Sequence, residues 1–73
     1  MTGRFTVTFG IRLRRHRLAR GWTFRQAAQA SGVGYMTIKR AETGIPIRVF
    51  DAAKLADAYQ TTLDALLNGE PPE

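Results

Sequence analysis

Apolar residues recur along this chain at two different periods. The stretch Arg4-Phe5-Thr6-Val7-Thr8-Phe9 alternates polar and apolar side chains and uses strand-forming residue types throughout, which predicts a short N-terminal strand or arm over residues 1–9. One such strand is not stable alone and must pair with another segment or with a second copy, or lie disordered. From Gly10 the spacing becomes helical. A first helix is expected from Gly10 to Arg20, stopped by Gly21, with Phe9, Leu13, His16, Arg17 and Arg20 on one side and Ile11 and Leu18 nearly opposite. That second apolar stripe is unusual in so small a domain, and Phe5 and Val7 or another subunit could cover it.

Thr23-Phe24-Arg25-Gln26 has the form of a capping box, so a second helix should begin after Thr23 and end near Ala30, with the chain turning at Ser31-Gly32. A third runs from about Tyr35 to Thr43 and is closed by Gly44. Two short helices joined through a glycine turn make a helix-turn-helix. A fourth helix, Val49 to Tyr59, should bury Val49, Ala52, Ala53, Ala56 and Tyr59, and a fifth, capped by Thr62, should run from Leu63 to Leu67 and stop at Asn68-Gly69. The expected organisation is thus an arm (1–9), one all-α five-helix domain (10–69) and a frayed tail (70–73).

Composition adds a division of charge. Ten of the eleven basic residues precede Val49 and five of the six acids follow Arg48, a local balance of +9 against −4 within the net +5. A basic body with an acidic end suits one face for a polyanion and another for something else. There is no cysteine, which excludes a disulfide framework or a Cys-based zinc site and agrees with a reducing, cytoplasmic setting. One histidine, no Gly-rich phosphate loop and no metal-ligand cluster argue against an enzyme and against a cofactor. No signal-type core and no run of about 20 apolar residues suggests a membrane segment.

With these elements placed, the segment from Phe9 to Gly69 resembles the DNA-binding domain of the lambdoid phage repressor and Cro family, the Xre-like regulators. The resemblance rests on Gly10, on Arg17 four residues before Gly21, on Thr23, on Ala28, Gly32, Val33 and Ile38 at helix-turn-helix core spacing, on Glu42 followed by Gly44, and on Thr62-Leu63-Asp64-Ala65-Leu66-Leu67-Asn68-Gly69. It implies a lambda-repressor-like fold in which Ala28 sits at the crossing of the second and third helices. It also implies an ion pair between Arg17 and Glu42, the one acid among the first 48 residues. The third helix becomes the probe of the major groove. Its outward arc holds Tyr35, Met36, Lys39 and Arg40, expected to meet base edges, with Thr43 next to the phosphates. Thr23, Phe24, Arg25, Arg17 and Arg48 are the further phosphate contacts expected.

At Phe24 the chain departs from the family, which usually has a phosphate-binding Gln there; packing toward Trp22 or Tyr35 is the alternative. His16 stands where a leucine is usual and is expected to be a satisfied, partly buried histidine, and the arginines Arg12, Arg14 and Arg15 are spread around the first helix. The function implied is a Cro-like or prophage-type repressor that binds a palindromic operator in double-stranded DNA as a homodimer, with no room in 73 residues for an effector domain. The dimer surface would be Phe50, Leu63 and Leu66 by resemblance, or Phe5, Val7, Ile11 and Leu18 by the stripe argument. Two other readings stay open: an antitoxin that binds a toxin through Ile11 and Leu18, and an interaction module that has lost DNA binding.

Overall fold

A computed structural model of the chain describes the backbone of residues 3–69 and the side chains of residues 7–69. Five helices follow one another: α1 Gly3–Ala19, α2 Phe24–Ser31, α3 Tyr35–Glu42, α4 Val49–Ala58 and α5 Leu63–Asn68. There is no strand among the described residues, and the fold is all-α, as the periodicities implied. No described helix is long and apolar enough to cross a membrane. The expected tail, 70–73, and the side chain of Phe5 lie outside the described residues.

The expected N-terminal strand is corrected. Residues 4–9 belong to α1, which runs unbroken from Gly3. A single extended segment would leave its backbone N–H and C=O groups without partners, whereas a helix satisfies them internally. The helical register also puts Phe9, Leu13 and Arg17 one turn apart on a buried line, at 6%, 0% and 8% exposure.

Each later helix starts or stops for a local reason. Thr23 Oγ1 accepts from the Gln26 N–H (3.1 Å) and the Thr23 N–H donates to Gln26 Oε1 (2.8 Å), the reciprocal box that begins α2. Gly32 ends it at φ 78°, a left-handed conformation, with its N–H on the Ala28 carbonyl at 2.8 Å. Thr62 caps α5 by accepting from the Ala65 N–H at 3.0 Å, and Arg12 Nη1 closes its far end on the carbonyls of Leu66 (3.0 Å) and Leu67 (3.2 Å). This arginine, read as part of a spread basic run, therefore ties α1 to α5.

The core differs from expectation in α4 and α2. Val49 is 72% exposed and Ala53 is also exposed, while Leu55 is fully buried. The inner stripe is Ala52, Leu55, Ala56 and Tyr59, a rotation that trades an alanine and a valine for the larger apolar area of leucine. In α2 the fully buried alanine is Ala27, with Ala28 partly buried beside it. Helix α3 packs against both α1 and α2, and α5 against α1 and α4. Gly10 lets α1 and α3 meet: a Cβ there would run into the carbonyl oxygen of Ala41.

Tyr59 closes the other side of the core. Its ring stacks on His16, with centroids 5.5 Å apart and planes 12° from parallel, and meets Trp22 at 5.9 Å. Arg20 Nη2 donates to the Tyr59 carbonyl at 2.6 Å. The Tyr59 hydroxyl is buried without a hydrogen-bond partner. Burial first, and then the charge of Glu42, push its pKa up to about 12.

Two outcomes are expected. Gly10→Ala should destabilise the domain by about 1–3 kcal/mol in urea unfolding, because backbone must shift to admit the methyl group. The raised Tyr59 pKa means that the folded chain holds its phenolic proton where the unfolded chain releases it. Its contribution is therefore complete below about pH 10 and lost as pH rises toward 12. Tyr59→Phe should lose less melting temperature than the parent over that window and be no less stable at pH 7, since it removes an unpartnered buried hydroxyl.

Candidate nucleic-acid interface

Helix α3 has one face in the core and one in solvent. Ile38 and Ala41 are fully buried, which fixes the rotation of the helix and leaves Tyr35, Met36, Lys39, Arg40 and Thr43 exposed. Tyr35 and Met36 are 39% and 43% exposed, large apolar side chains left on the surface. The four residues singled out as base-reading candidates are thus brought together on one outward arc.

The arc is held in place by one ion pair beneath it. Arg17 Nε donates to Glu42 Oε2 at 2.8 Å and Nη2 to Oε1 at 3.0 Å, a two-pronged contact between α1 and the last residue of α3. Arg17 Nη1 donates to the Trp22 carbonyl at 2.9 Å, adding the α1–α2 loop. The side chains are 10% and 5% exposed. The hydrogen bonds that Arg17 donates to Glu42 hold its pKa above the ordinary value, against the opposing effect of burial. Phe24, the first residue of α2, lies over the guanidinium with 4.1 Å between Arg17 Cζ and the ring centroid. Four parts of the fold converge there.

That geometry decides between the alternatives left for Phe24. The ring covers the Arg17–Glu42 pair, and Tyr35 has a different neighbour, with Arg25 Cζ 4.9 Å from its ring centroid. Three of the five Arg17 N–H groups are engaged with Glu42 and Trp22 beneath Phe24, which leaves one on each terminal nitrogen for the phosphate contact expected of it. The Thr43 hydroxyl donates its one proton to the Arg40 carbonyl at 2.7 Å. Thr23 retains its hydroxyl proton, since its oxygen acts as acceptor in the capping box. Its N–H is taken by Gln26, which leaves the first-turn N–H groups of Phe24 and Arg25 facing outward from the start of α2.

Arg48 precedes α4 and is exposed. With Arg40 it lines a shallow groove of about 380 Å³ between α3 and the start of α4, together with Thr37, Ile45, Pro46, Ile47 and Asp51. Two arginines at one groove beside the exposed arc extend the cationic surface from α3 to α4. The groove was not evident from the sequence; the Ile45-Pro46-Ile47 segment that floors it reads there as a plain connection.

The proposed subunit surfaces separate. Leu66 is fully buried and cannot meet a partner; Leu63 is partly buried against the core. Phe50 is 74% exposed and, with Val49 and the 36%-exposed Leu67, leaves an apolar surface on α4 and α5. A hollow of about 120 Å³ floored by Phe9, Ile47, Ala52 and Leu63 opens beside Val49 and Leu67. Val7, Ile11 and Leu18 are each about half exposed along α1.

A family model described as a helix-turn-helix domain matches residues 8–68 of the chain. The chain belongs to that family, one of DNA-binding domains that are typically not enzymes. Comparison with curated proteins gave no match, and comparison with solved structures gave none either.

The ion pair makes a direct prediction. Glu42→Ala should destabilise the domain by about 3 kcal/mol, because it leaves Arg17 charged and unpaired beneath Phe24. The double substitution Arg17→Met/Glu42→Leu should cost much less than the single one. Chemical denaturation of the three proteins checks both expectations.

Proposed function

We propose that this chain is a sequence-specific regulator that binds duplex DNA through α3, in the manner of the Cro-like and prophage-type repressors. The observation that carries the reading is the division of α3 into a fully buried face, Ile38 and Ala41, and an exposed arc of Tyr35, Met36, Lys39 and Arg40. Inserted in the major groove, Arg40 is suited to a two-pronged contact with guanine, and Lys39 to guanine or a phosphate. Met36 and Tyr35 suit thymine methyl groups. The Thr23 hydroxyl, the first N–H groups of α2 and the Arg48 side chain then take phosphates on either side.

One α3 reads few base pairs, so a homodimer on a roughly palindromic operator follows. The exposed apolar surface of Val49, Phe50 and Leu67 supports α4 and α5 as the contact. Repression by occupancy, in the bacterial cytoplasm, is the corresponding mode of action. A second reading, an antitoxin-type protein with a protein partner, is favoured by the half-exposed Val7, Ile11 and Leu18 on α1.

The test is a selection from random duplex DNA at near-physiological salt, run beside the Lys39→Glu/Arg40→Glu protein. A motif with two related half-sites should be enriched by the parent and lost in the charge-reversed protein. Arg40→Ala alone should lower discrimination at one base position by about 1–3 kcal/mol. Binding that ignores sequence, or enrichment that survives charge reversal, would refute the reading.

A further inference from the structure

Phe24 and Arg25 are consecutive, yet they serve two different elements. Phe24 turns to α1, where it covers Arg17, and Arg25 turns to α3, where its guanidinium lies over the Tyr35 ring at 4.9 Å. Arg25 is otherwise poorly placed. It sits in the first turn of α2, at the positive end of the helix dipole, and that turn contains no acid. Tyr35 is equally in need of support. It is the first residue of α3, and the Gly34 cap before it makes no side-chain hydrogen bond to that helix. The guanidinium makes a cation–π contact with the aromatic ring, and so links the start of α2 to the start of α3 across the turn.

Resting on the DNA-binding reading above, we propose that Arg25 is a positioning residue for sequence readout. It holds the Tyr35 ring in one orientation at the leading edge of the recognition arc, and the pair reads one base position in each half-site as a unit. A tyrosine 39% exposed at a helix start has several side-chain orientations available, and ordering it on binding costs conformational entropy. Arg25 removes most of that freedom beforehand. The ring so held is suited to pack on the C5-methyl group of a thymine, the apolar feature of the major groove. On this account the Arg25 side chain is not primarily a phosphate contact.

The two roles separate experimentally. Selections from random duplex DNA would be run with the parent, Arg25→Ala, Arg25→Lys, Tyr35→Ala and Arg25→Ala/Tyr35→Ala, with melting temperatures as a folding control. A thymine preference of about tenfold at one position of each half-site should fall to about twofold or less in Arg25→Ala and in Tyr35→Ala, at that same position. The double variant should lose no more than either single one, and Arg25→Lys, which keeps a cation over the ring, should retain part of the preference. The opposite result is also defined. If Arg25→Ala weakens binding to every duplex by a common factor, lowers the salt slope by about one and leaves the motif unchanged, Arg25 is only a phosphate contact and the proposal is wrong. A parent protein that enriches no motif refutes the DNA-binding reading and this proposal together, whereas an enriched motif indifferent to Arg25 refutes this one alone.

Discussion

The contact between Arg17 and Glu42 is the constraint on which the arrangement of this domain depends. It joins the last turn of α1 to the end of α3 by two hydrogen bonds, holds the α1–α2 loop through the Trp22 carbonyl, and is roofed by Phe24 from the start of α2. A pair of charges so nearly removed from water is tolerable only when each lone pair and N–H finds a partner. Here the bidentate geometry, the carbonyl and the aromatic face supply most of them. The pair need not add much net stability to set the register: any shift of α3 along α1 would strand a charge. Gly10 serves the same end of α3, by letting the two helices approach where a side chain would meet the Ala41 and Glu42 carbonyls.

With α3 fixed, its chemistry is a matter of what remains outside. Burial of Ile38 and Ala41 commits the opposite face, and that face carries two cations, a methionine and a tyrosine. Charge is divided in the same sense. All the basic residues but Lys54 lie in α1 or just after it, in α2, in α3 or on the approach to α4, and most acids in α4, α5 and beyond. A division of charge of this kind favours one orientation in an encounter with a polyanion. The Phe24 ring covers the Arg17–Glu42 pair and helps to keep it from water.

Much of this was legible in the sequence because the signals were local. The Thr23–Gln26 capping box, the stop at Gly32, the Thr62 cap and the inward Ile38 and Ala41 depend on residues a few positions apart, and all appear in the structure. Misreadings arose where a local pattern competed with packing. The alternation over residues 4–9 has strand spacing, but with no strand to pair with, it joins α1 and delivers Phe9 to the core. Leu66 looked available on α5 and is buried, because α5 presents it to the rest of the core. Gln60 adopts φ 55°, the left-handed turn conformation that a glycine would have advertised.

What the sequence determined by itself is the set of helices, their caps and the composition of the outward face of α3, since helical periodicity and capping act over one or two turns. The tertiary structure alone decided which charged groups are engaged and which are available. Arg12 closes α5, Arg17 is locked to Glu42, Arg25 lies over the Tyr35 ring, and Arg40 and Arg48 share an open groove. These five arginines look alike along the chain. Their roles separate only when residues distant in sequence meet, because a guanidinium takes its function from the carboxylate, carbonyl or ring that folding brings to it.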